Sequence, residues 1–207
     1  DARSIICRPL IIINKILDKK FYLVDDGFYL LSYVKRLNKL RCVIYTSLPI
    51  KKNEKQRFEI LKKKVEKFKN FEGEKSISFI GQPIAEMNFI PEEIYISTLK
   101  KIIKKYNNKY KIFNYYTHRS ESKGKIEKIK NLGFNIVNLS SNIESYFHAN
   151  IVPVGIFISF YSTALLNIKL SHDDAVFYYC EYDKLKYGYQ VELIFFLLQM
   201  NLKNVRI

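Results

Sequence analysis

The regular alternation of apolar, strand-like runs with amphipathic, helix-like segments between residues 76 and 180 constrains the fold of this chain most strongly. The apolar runs include 76–80, 111–116 and 155–159. Between the first two lies 91–106, which begins with Pro and two Glu residues, the residue types that favour the first turn of a helix. Strands that alternate with helices pair in parallel and connect through right-handed crossovers. The sequence therefore predicts an α/β fold with a parallel sheet.

Further predicted elements extend this pattern in both directions. The later part of the chain adds predicted strands 135–137 and 175–180 and predicted helices 123–131, 143–149, 162–168 and 189–201. The earlier part adds predicted strands 21–24 and 41–46 and a predicted helix 28–40. Apolar residues recur at helical spacing within 51–70, so we also predict a helix there. The polar run 72–75 is typical of a linker, and it divides the chain into domains 1–71 and 72–207.

A formal net charge of +15 limits the classes of partner that suit this chain. A field of this sign attracts polyanions, such as nucleic acids, anionic lipid head groups and phosphorylated or carboxylated substrates. Many of the lysines fall in predicted helices, where a solvated helix face explains them without a binding role. The aromatic residues fall mainly in apolar predicted strands, which disfavours a nucleic-acid-binding surface.

The three cysteines are far apart and lack the spacing of a metal site or of a paired framework. We therefore expect neither a disulfide scaffold nor structural zinc, and we expect a reducing, cytoplasmic compartment. No apolar run reaches transmembrane length, and the N-terminus lacks a signal-peptide pattern. Because the chain begins without Met and in mid-pattern, we expect it to be the C-terminal part of a longer protein.

Polar side chains follow the apolar run 111–116, where the chain continues into His118-Arg119-Ser120. In open α/β sheets, ligands bind beyond the carboxyl ends of the strands. His118 is therefore placed where a parallel-sheet enzyme has its chemistry, and an imidazolium there can stabilise a departing phosphate. The alternative is a structural role, which is the commoner one for a lone histidine.

Three further polar positions adjoin predicted elements. Asp25-Asp26-Gly27 ends a strand, and it is either an Asp-Gly turn or a carboxylate that can accept a proton. Ser162-Thr163 opens a helix, where hydroxyls and backbone amides form a natural phosphate site. The same residues can serve as an N-cap, and the two roles are compatible. Glu144 opens another helix, where it either complements the helix dipole or binds ribose hydroxyls.

The sequence lacks the short motifs that mark several common enzyme classes. It contains neither G-x-G-x-x-G nor a Walker P-loop, which disfavours NAD and ATP as ligands. It has no G-x-S-x-G elbow, which disfavours an α/β-hydrolase. His172-Asp173-Asp174 is interpreted as an exposed loop rather than a metal site, because no second ligand cluster accompanies it.

Three of these patterns stand in the order found in bacterial sialyltransferases: an acidic-acidic-Gly motif, a His motif and a Ser-Ser/Thr motif. In this chain they are Asp25-Asp26-Gly27, Tyr116 to Glu121, and Ser162-Thr163. The flanking residues 79–86 and 142–144 are also similar to that group. From about residue 20 to 168, the chain thus resembles the lipooligosaccharide sialyltransferases of glycosyltransferase family 52 and the related capsular polysialyltransferases. It departs from them at Arg119, where the family usually has Pro after the His.

The resemblance implies a GT-B-like fold, in which two Rossmann-like domains face a cleft. Residues 72–207 would form the nucleotide-sugar-binding domain, and residues 1–71 would form the C-terminal portion of the N-terminal, acceptor-side domain. The implied reaction is an inverting transfer of sialic acid from CMP-sialic acid to a surface glycan, either lipooligosaccharide or capsule. It would need no cofactor and no essential metal.

The resemblance also assigns roles to individual residues. Asp25 or Asp26 would deprotonate the acceptor hydroxyl, with Glu86 as a second candidate for this general base. His118, with help from Arg119, would stabilise the departing CMP phosphate. The implied nucleotide-binding residues are Gly81, Gln82, His118, Arg119, Glu144, Ser162 and Thr163.

The implied partners are the nucleotide-sugar donor and an anionic glycan acceptor. Peripheral contact with the inner membrane and a homodimer are both compatible with the resemblance, and a nucleic-acid partner is disfavoured. Three alternatives stay open: a GT-B hexosyltransferase for lipooligosaccharide, a non-enzymatic basic polyanion-binding protein, and an inactive transferase that scaffolds a glycan-assembly complex.

Overall fold

A six-stranded, wholly parallel sheet forms the centre of the second of two units into which the chain divides, Asp1–Val65 and Glu66–Ile207. The prediction from sequence places this boundary between residues 71 and 72. The computed structural model describes residues 21–24, 42–46, 59–62, 75–150, 155–160, 162–171, 175–180 and 203–205, and all structural statements below concern these. The predicted helices 28–40 and 189–201 and the loop at 172–174 lie outside the described residues.

The first unit contains a three-stranded parallel sheet in the order β1-β2-β3. Strands β1 (Phe21–Val24) and β2 (Cys42–Thr46) confirm the predicted strands. Strand β3 (Glu59–Lys62) lies inside the segment 51–70, so the prediction of a helix there is wrong at these residues. Pairing with β2 supplies backbone hydrogen bonds along this strand, and such tertiary pairing overrides a local apolar period.

The six strands of the second unit lie in the spatial order β6-β5-β4-β7-β8-β9. They are β4 (Ser76–Ile80), β5 (Ile112–Tyr116), β6 (Asn135–Val137), β7 (Gly155–Ser159), β8 (Val176–Cys180) and β9 (Lys203–Val205). The sequence predicts the first five of these and misses β9. Each neighbouring pair is parallel, which confirms the predicted α/β class with a parallel sheet.

Four described helices connect these strands. They are α1 (Glu92–Tyr106), α2 (Lys123–Asn131), α3 (Ile143–Ala149) and α4 (Thr163–Ser171). Helix α1 shows why this sequence is helical, because Tyr95, Leu99 and Ile102 are buried along one face. Acidic residues occupy its first turn and lysines its last turn, which complements the helix dipole.

The chain order of the strands defines where a ligand crevice opens. From β4 the chain moves outward through β5 to β6, and it then returns to place β7 on the other side of β4. Counted from β4, the spatial order is 3-2-1-4-5-6, the order of doubly wound Rossmann-type sheets. The topological switch point therefore lies between β4 and β7, and ligands of such folds bind beyond the carboxyl ends of the strands there.

A cluster of buried aromatic rings lies beneath this end of the sheet. The ring of Phe79 on β4 stacks on that of Tyr115 on β5, with centroids 5.6 Å apart. It also meets the rings of Tyr95 and Phe160 edge-on, each with centroids 6.0 Å apart. All four side chains are almost fully buried. Because they belong to β4, β5, α1 and the residue that follows β7, their packing holds these elements together just below the expected crevice.

Two glycines next to and within α2 give a matched test of this backbone. A Cβ added at Gly124 or at Gly133 meets no atom within 4 Å, so neither substitution causes a clash. Gly133 has φ +102°, whereas Gly124 has an ordinary helical conformation. We expect Gly133→Ala to lower the free energy of unfolding by about 1–2 kcal/mol, because a side chain is disfavoured in the left-handed region. Gly124→Ala should raise it by about 0.5–1 kcal/mol. Urea denaturation measures both, and two changes of the same sign would contradict the assigned conformations.

Candidate functional site

The predicted nucleotide-binding residues that follow β4 and β7 lie at the same edge of the sheet. Gly81 and Gln82 come directly after β4, and Ser162 and Thr163 come at the start of α4, shortly after β7. Strands β4 and β7 are neighbours in the sheet. The fold thus brings these four residues to the switch point, although they are about eighty positions apart in the sequence.

A tight turn presents the predicted His118 and Arg119 one strand away from the switch point. The Glu121 amide donates to the His118 carbonyl oxygen at 3.0 Å, which closes a turn directly after β5. Both His118 and Arg119 are exposed there. Because β4 lies between β5 and β7, the histidine and the Ser162-Thr163 pair flank the end of the same central strand.

The hydrogen bond to the His118 ring defines its protonation. The Ser120 amide donates to Nδ1 at 3.1 Å, so Nδ1 is an acceptor and the proton of the neutral ring lies on Nε2. Desolvation lowers the pKa of His118, the cations Arg119 and Lys125 lower it further, and together they outweigh the nearby carboxylates. The unliganded site therefore favours a neutral ring that donates through Nε2, whereas the sequence predicts an imidazolium.

A buried lysine joins the loops that follow β4 and β5. Lys125 in α2 is 1% exposed. Its ammonium donates to the Gln82 carbonyl oxygen at 2.9 Å and to Glu86 Oε2 at 3.0 Å, and it pairs with Glu121 Oε1 at 2.7 Å. The same ammonium lies over the ring of Tyr95, 4.1 Å from its centroid. Three acceptors match its three N–H groups, so the buried charge is fully hydrogen-bonded or paired.

The Glu121 carboxylate fixes the backbone of His118 from below. Its side chain is fully buried. Oε1 accepts from the hydroxyl of Tyr115 at 2.5 Å, and Oε2 accepts from the His118 amide at 2.7 Å. Glu121 therefore anchors the exposed turn to the buried end of β5, and it does so through both of its oxygens.

The contacts of Glu86 favour a structural part for this residue. Oε1 accepts from the Ser122 amide at 2.8 Å, and Oε2 accepts from Lys125 at 3.0 Å. Burial raises the pKa of Glu86, but the hydrogen bonds from Ser122 and Lys125 outweigh this effect and leave the pKa below its ordinary value. A carboxylate of low pKa is a weak proton acceptor. The role of Glu86 as general base stays a prediction that these contacts do not favour.

The remaining predicted site residues lie elsewhere. Glu144 in α3 accepts a hydrogen bond from the side-chain amide of Asn167 in α4 at 2.8 Å, so it connects two helices beyond β6 and β7. Asp25 and Asp26, the predicted general bases, lie outside the described residues. The structure links Gln82, Glu86 and His118 through their shared contacts with Lys125 and Glu121. It places Ser162 and Thr163 across the switch point from them.

The described helices differ in the charges at their N-termini. Glu92 and Glu93 occupy the first turn of α1, and Glu144 occupies that of α3. At α2, the Ser122 amide already binds the carboxylate of Glu86. Of the four described helices, α2 and α4 have no acidic residue in the first turn. Acidic residues therefore disfavour an anion at the starts of α1 and α3.

The sequence analysis assigns no role to four residues that contribute to this site. They are Tyr95, Tyr115, Glu121 and Lys125. Glu121 and Lys125 are spaced i,i+4, which hints at an ion pair, but a lysine in a basic helical segment is predicted to be solvated. The tyrosines fall among other apolar and aromatic positions, where core packing explains them equally well.

Removal of the buried Lys125 ammonium tests how much it contributes to the stability of the fold. Lys125→Met leaves the carboxylate of Glu121 buried without its cation, so we expect the free energy of unfolding to fall by about 3–5 kcal/mol. Lys128→Met is the matched control, because Lys128 also pairs with a carboxylate at 2.7 Å but is largely exposed. It should leave the urea midpoint nearly unchanged. The double variant Lys125→Met/Glu121→Gln should recover part of the lost free energy of unfolding, because it has no unpaired carboxylate. If the double variant is as unstable as Lys125→Met, an unpaired charge is not the cause.

The pKa of His118 tests the electrostatics of the turn. We expect an NMR titration to give a value below about 6.5, the ordinary value for histidine. Arg119→Ala should raise this pKa, because the guanidinium disfavours the charged ring. Lys130→Ala, which removes an exposed cation elsewhere on α2, serves as the control. A His118 pKa that stays the same or falls in Arg119→Ala would contradict the assignment.

The described residues show neither a metal centre nor a membrane-spanning helix. Within the described ranges, no group of three or more His, Cys, Asp and Glu side chains is arranged to hold a metal ion. None of the described helices combines the length and the apolar content needed to cross a bilayer. Comparison with models of protein families and with curated proteins finds no match to this chain.

Proposed function

We propose that the chain carries the nucleotide-sugar-binding domain of a GT-B-like inverting glycosyltransferase. Its donor would be CMP-sialic acid, and its acceptor would be a surface glycan, either lipooligosaccharide or capsule. The observation that supports this most is that His118 and the N-terminus of α4 both lie at the carboxyl edge of one doubly wound sheet. Together with Arg119 they offer the donors that a leaving phosphate needs.

The chemistry of the transfer explains why such donors are required. The bond between the anomeric carbon of sialic acid and the phosphate oxygen of CMP breaks, and negative charge develops on that phosphate. Hydroxyl and amide donors at Ser162 and Thr163 would bind it. The Nε2–H of His118 and the guanidinium of Arg119 would stabilise the added charge as it develops.

The helix N-termini favour a monophosphate donor over a diphosphate donor. In dinucleotide-binding folds, the pyrophosphate lies at the helix that follows the first strand of the sheet. The corresponding helix here is α1, whose first turn contains Glu92 and Glu93 and disfavours an anion. The acidic start of α1 thus argues against binding of the diphosphate of a UDP-hexose there. Together with the resemblance, it favours a sialyltransferase over a hexosyltransferase.

The acceptor hydroxyl needs a general base on the face of the sugar opposite to the departing phosphate. Resemblance assigns this role to Asp25 or Asp26. Glu86 is the weaker candidate, since both of its oxygens accept hydrogen bonds inside the loop cluster. Inversion then follows from direct displacement, without a covalent intermediate and without a metal.

Calorimetric titration with CMP tests this function. We expect saturable binding in the micromolar range, equivalent to about 7–8 kcal/mol. His118→Ala should weaken it by roughly 10–100-fold, because a hydrogen bond to a charged group contributes about 1.5–3 kcal/mol. Ser162→Ala should weaken it as well, and Lys128→Ala, which removes an exposed charge from α2, should not. UDP should bind more weakly than CMP.

The same titrations separate the alternatives. Tighter binding of UDP than of CMP would favour the hexosyltransferase. Absence of CMP binding, together with salt-sensitive binding to single-stranded DNA that His118→Ala leaves unchanged, would overturn the proposal in favour of a basic polyanion-binding protein. Binding of CMP by a full-length enzyme that transfers no sialic acid would favour an inactive scaffold.

A further inference from the structure

A closed ring of hydrogen bonds and one ion pair begins and ends at the backbone of Gln82. The Gln82 amide donates to the hydroxyl of Tyr95 at 3.3 Å, and that hydroxyl lies 2.8 Å from the hydroxyl of Tyr115. Tyr115 donates to Glu121 Oε1 at 2.5 Å, and the same oxygen pairs with Lys125 at 2.7 Å. Lys125 completes the ring by donating to the Gln82 carbonyl oxygen at 2.9 Å.

The protons of this ring have a single arrangement, in which Tyr115 and Lys125 both approach Glu121 Oε1. Desolvation raises the pKa values of Tyr95 and Tyr115 well above the ordinary value, so both phenols keep their protons. Tyr115 gives its single proton to Glu121, and it must therefore accept from Tyr95. Tyr95 in turn accepts from the Gln82 amide. Every donor has a matched acceptor, and reversal of one bond would leave a buried polar group without a partner.

The ring is buried at every side-chain position. Tyr95 and Tyr115 are 0% exposed, and the side chains of Glu121 and Lys125 are fully buried. A buried polar group that loses its partner is destabilised much more than an exposed one, since water does not replace the lost bond. The ring therefore has one low-energy arrangement, and it holds Gln82 at a fixed place relative to β5 and α2.

Glu121 also connects the ring to the backbone of His118. Its second oxygen, Oε2, accepts from the His118 amide at 2.7 Å. A Cβ added at Gly81 would lie 2.5 Å from this oxygen and 2.7 Å from the Tyr116 carbonyl oxygen. Only glycine therefore allows the loop after β4 to approach Glu121 this closely. The spacing between the Gln82 backbone and the His118 turn is thus set by buried groups, not by the exposed loops themselves.

We propose that Tyr95, Tyr115, Glu121 and Lys125 are positioning residues for a ligand at the switch point. They hold the Gln82 and His118 backbones at a fixed spacing before a ligand binds. Binding therefore avoids the entropic cost of ordering these two loops. None of the four touches the reacting atoms. The identity of the ligand rests on the function proposed above, whereas the positioning itself is a property of the unliganded chain.

The phenol hydroxyls are the best point at which to test the ring. Tyr115→Phe removes the hydroxyl that donates to Glu121 Oε1 and leaves the ion pair with Lys125, while the stacking on Phe79 is retained. We expect the chain to stay folded and the His118 and Gln82 amides to exchange with solvent roughly tenfold faster, the effect of one typical lost hydrogen bond. CMP affinity should fall by a similar factor. Tyr110→Phe, at another buried tyrosine, is the control and should change neither.

A second variant separates positioning from general loosening. Tyr95→Phe removes the acceptor of the Gln82 amide but leaves Tyr115 able to donate to Glu121. The Gln82 amide should then exchange faster while the His118 amide keeps its wild-type rate. Equal acceleration of both amides would indicate a merely structural role and would overturn the proposal.

Other results of these exchange and binding experiments also test the positioning role. Wild-type exchange rates at both amides in Tyr115→Phe, with wild-type CMP affinity, would overturn the positioning role. If that variant does not fold, Tyr95→Phe decides alone, and an unchanged rate at the Gln82 amide contradicts the ring. If the wild-type chain binds no CMP, the proposed function is contradicted. The amide exchange rates test the positioning role of the ring independently of that result.

Discussion

The buried ammonium of Lys125 is the interaction on which the ends of β4 and β5 depend. An isolated charge at this depth would be strongly destabilising, and it is tolerated because three acceptors from separate parts of the chain surround it. Those acceptors belong to the loop after β4 and to the turn after β5. A single side chain from α2 therefore converts two neighbouring loops into one connected structure.

Carboxylates near the helix starts limit where an anion can bind along this sheet. Helix α1 follows the central strand, yet Glu92 and Glu93 place negative charge in its first turn. Glu86 does the same for the start of α2 from outside the helix. The phosphate site proposed at Ser162 and Thr163 lies instead at the start of α4, whose first turn contains no acidic residue.

The sequence predicts the parts of this structure that depend on local pattern. The strands β4 to β8 and the four described helices follow from apolar periodicity, and the position of His118 follows from the rule that strand ends carry ligands. Strand β3 is missed because its apolar residues also fit a helical period, and only the pairing with β2 decides between the two. The short β9 pairs at the edge of the sheet without a distinctive pattern of its own.

The buried contacts of the site could not be predicted from local sequence patterns, for a different reason. Lys125 is a lysine in a lysine-rich helix, and nothing in its neighbours along the chain reveals that Glu86, Glu121 and the Gln82 carbonyl converge on it. That convergence also limits how such a chain can change over time. Loss of Lys125 would leave the buried carboxylate of Glu121 without its cation, so these positions should vary together or not at all. Correlated substitution at residues 86, 121 and 125 would then identify distant relatives that share this arrangement, even where the short motifs have drifted beyond recognition.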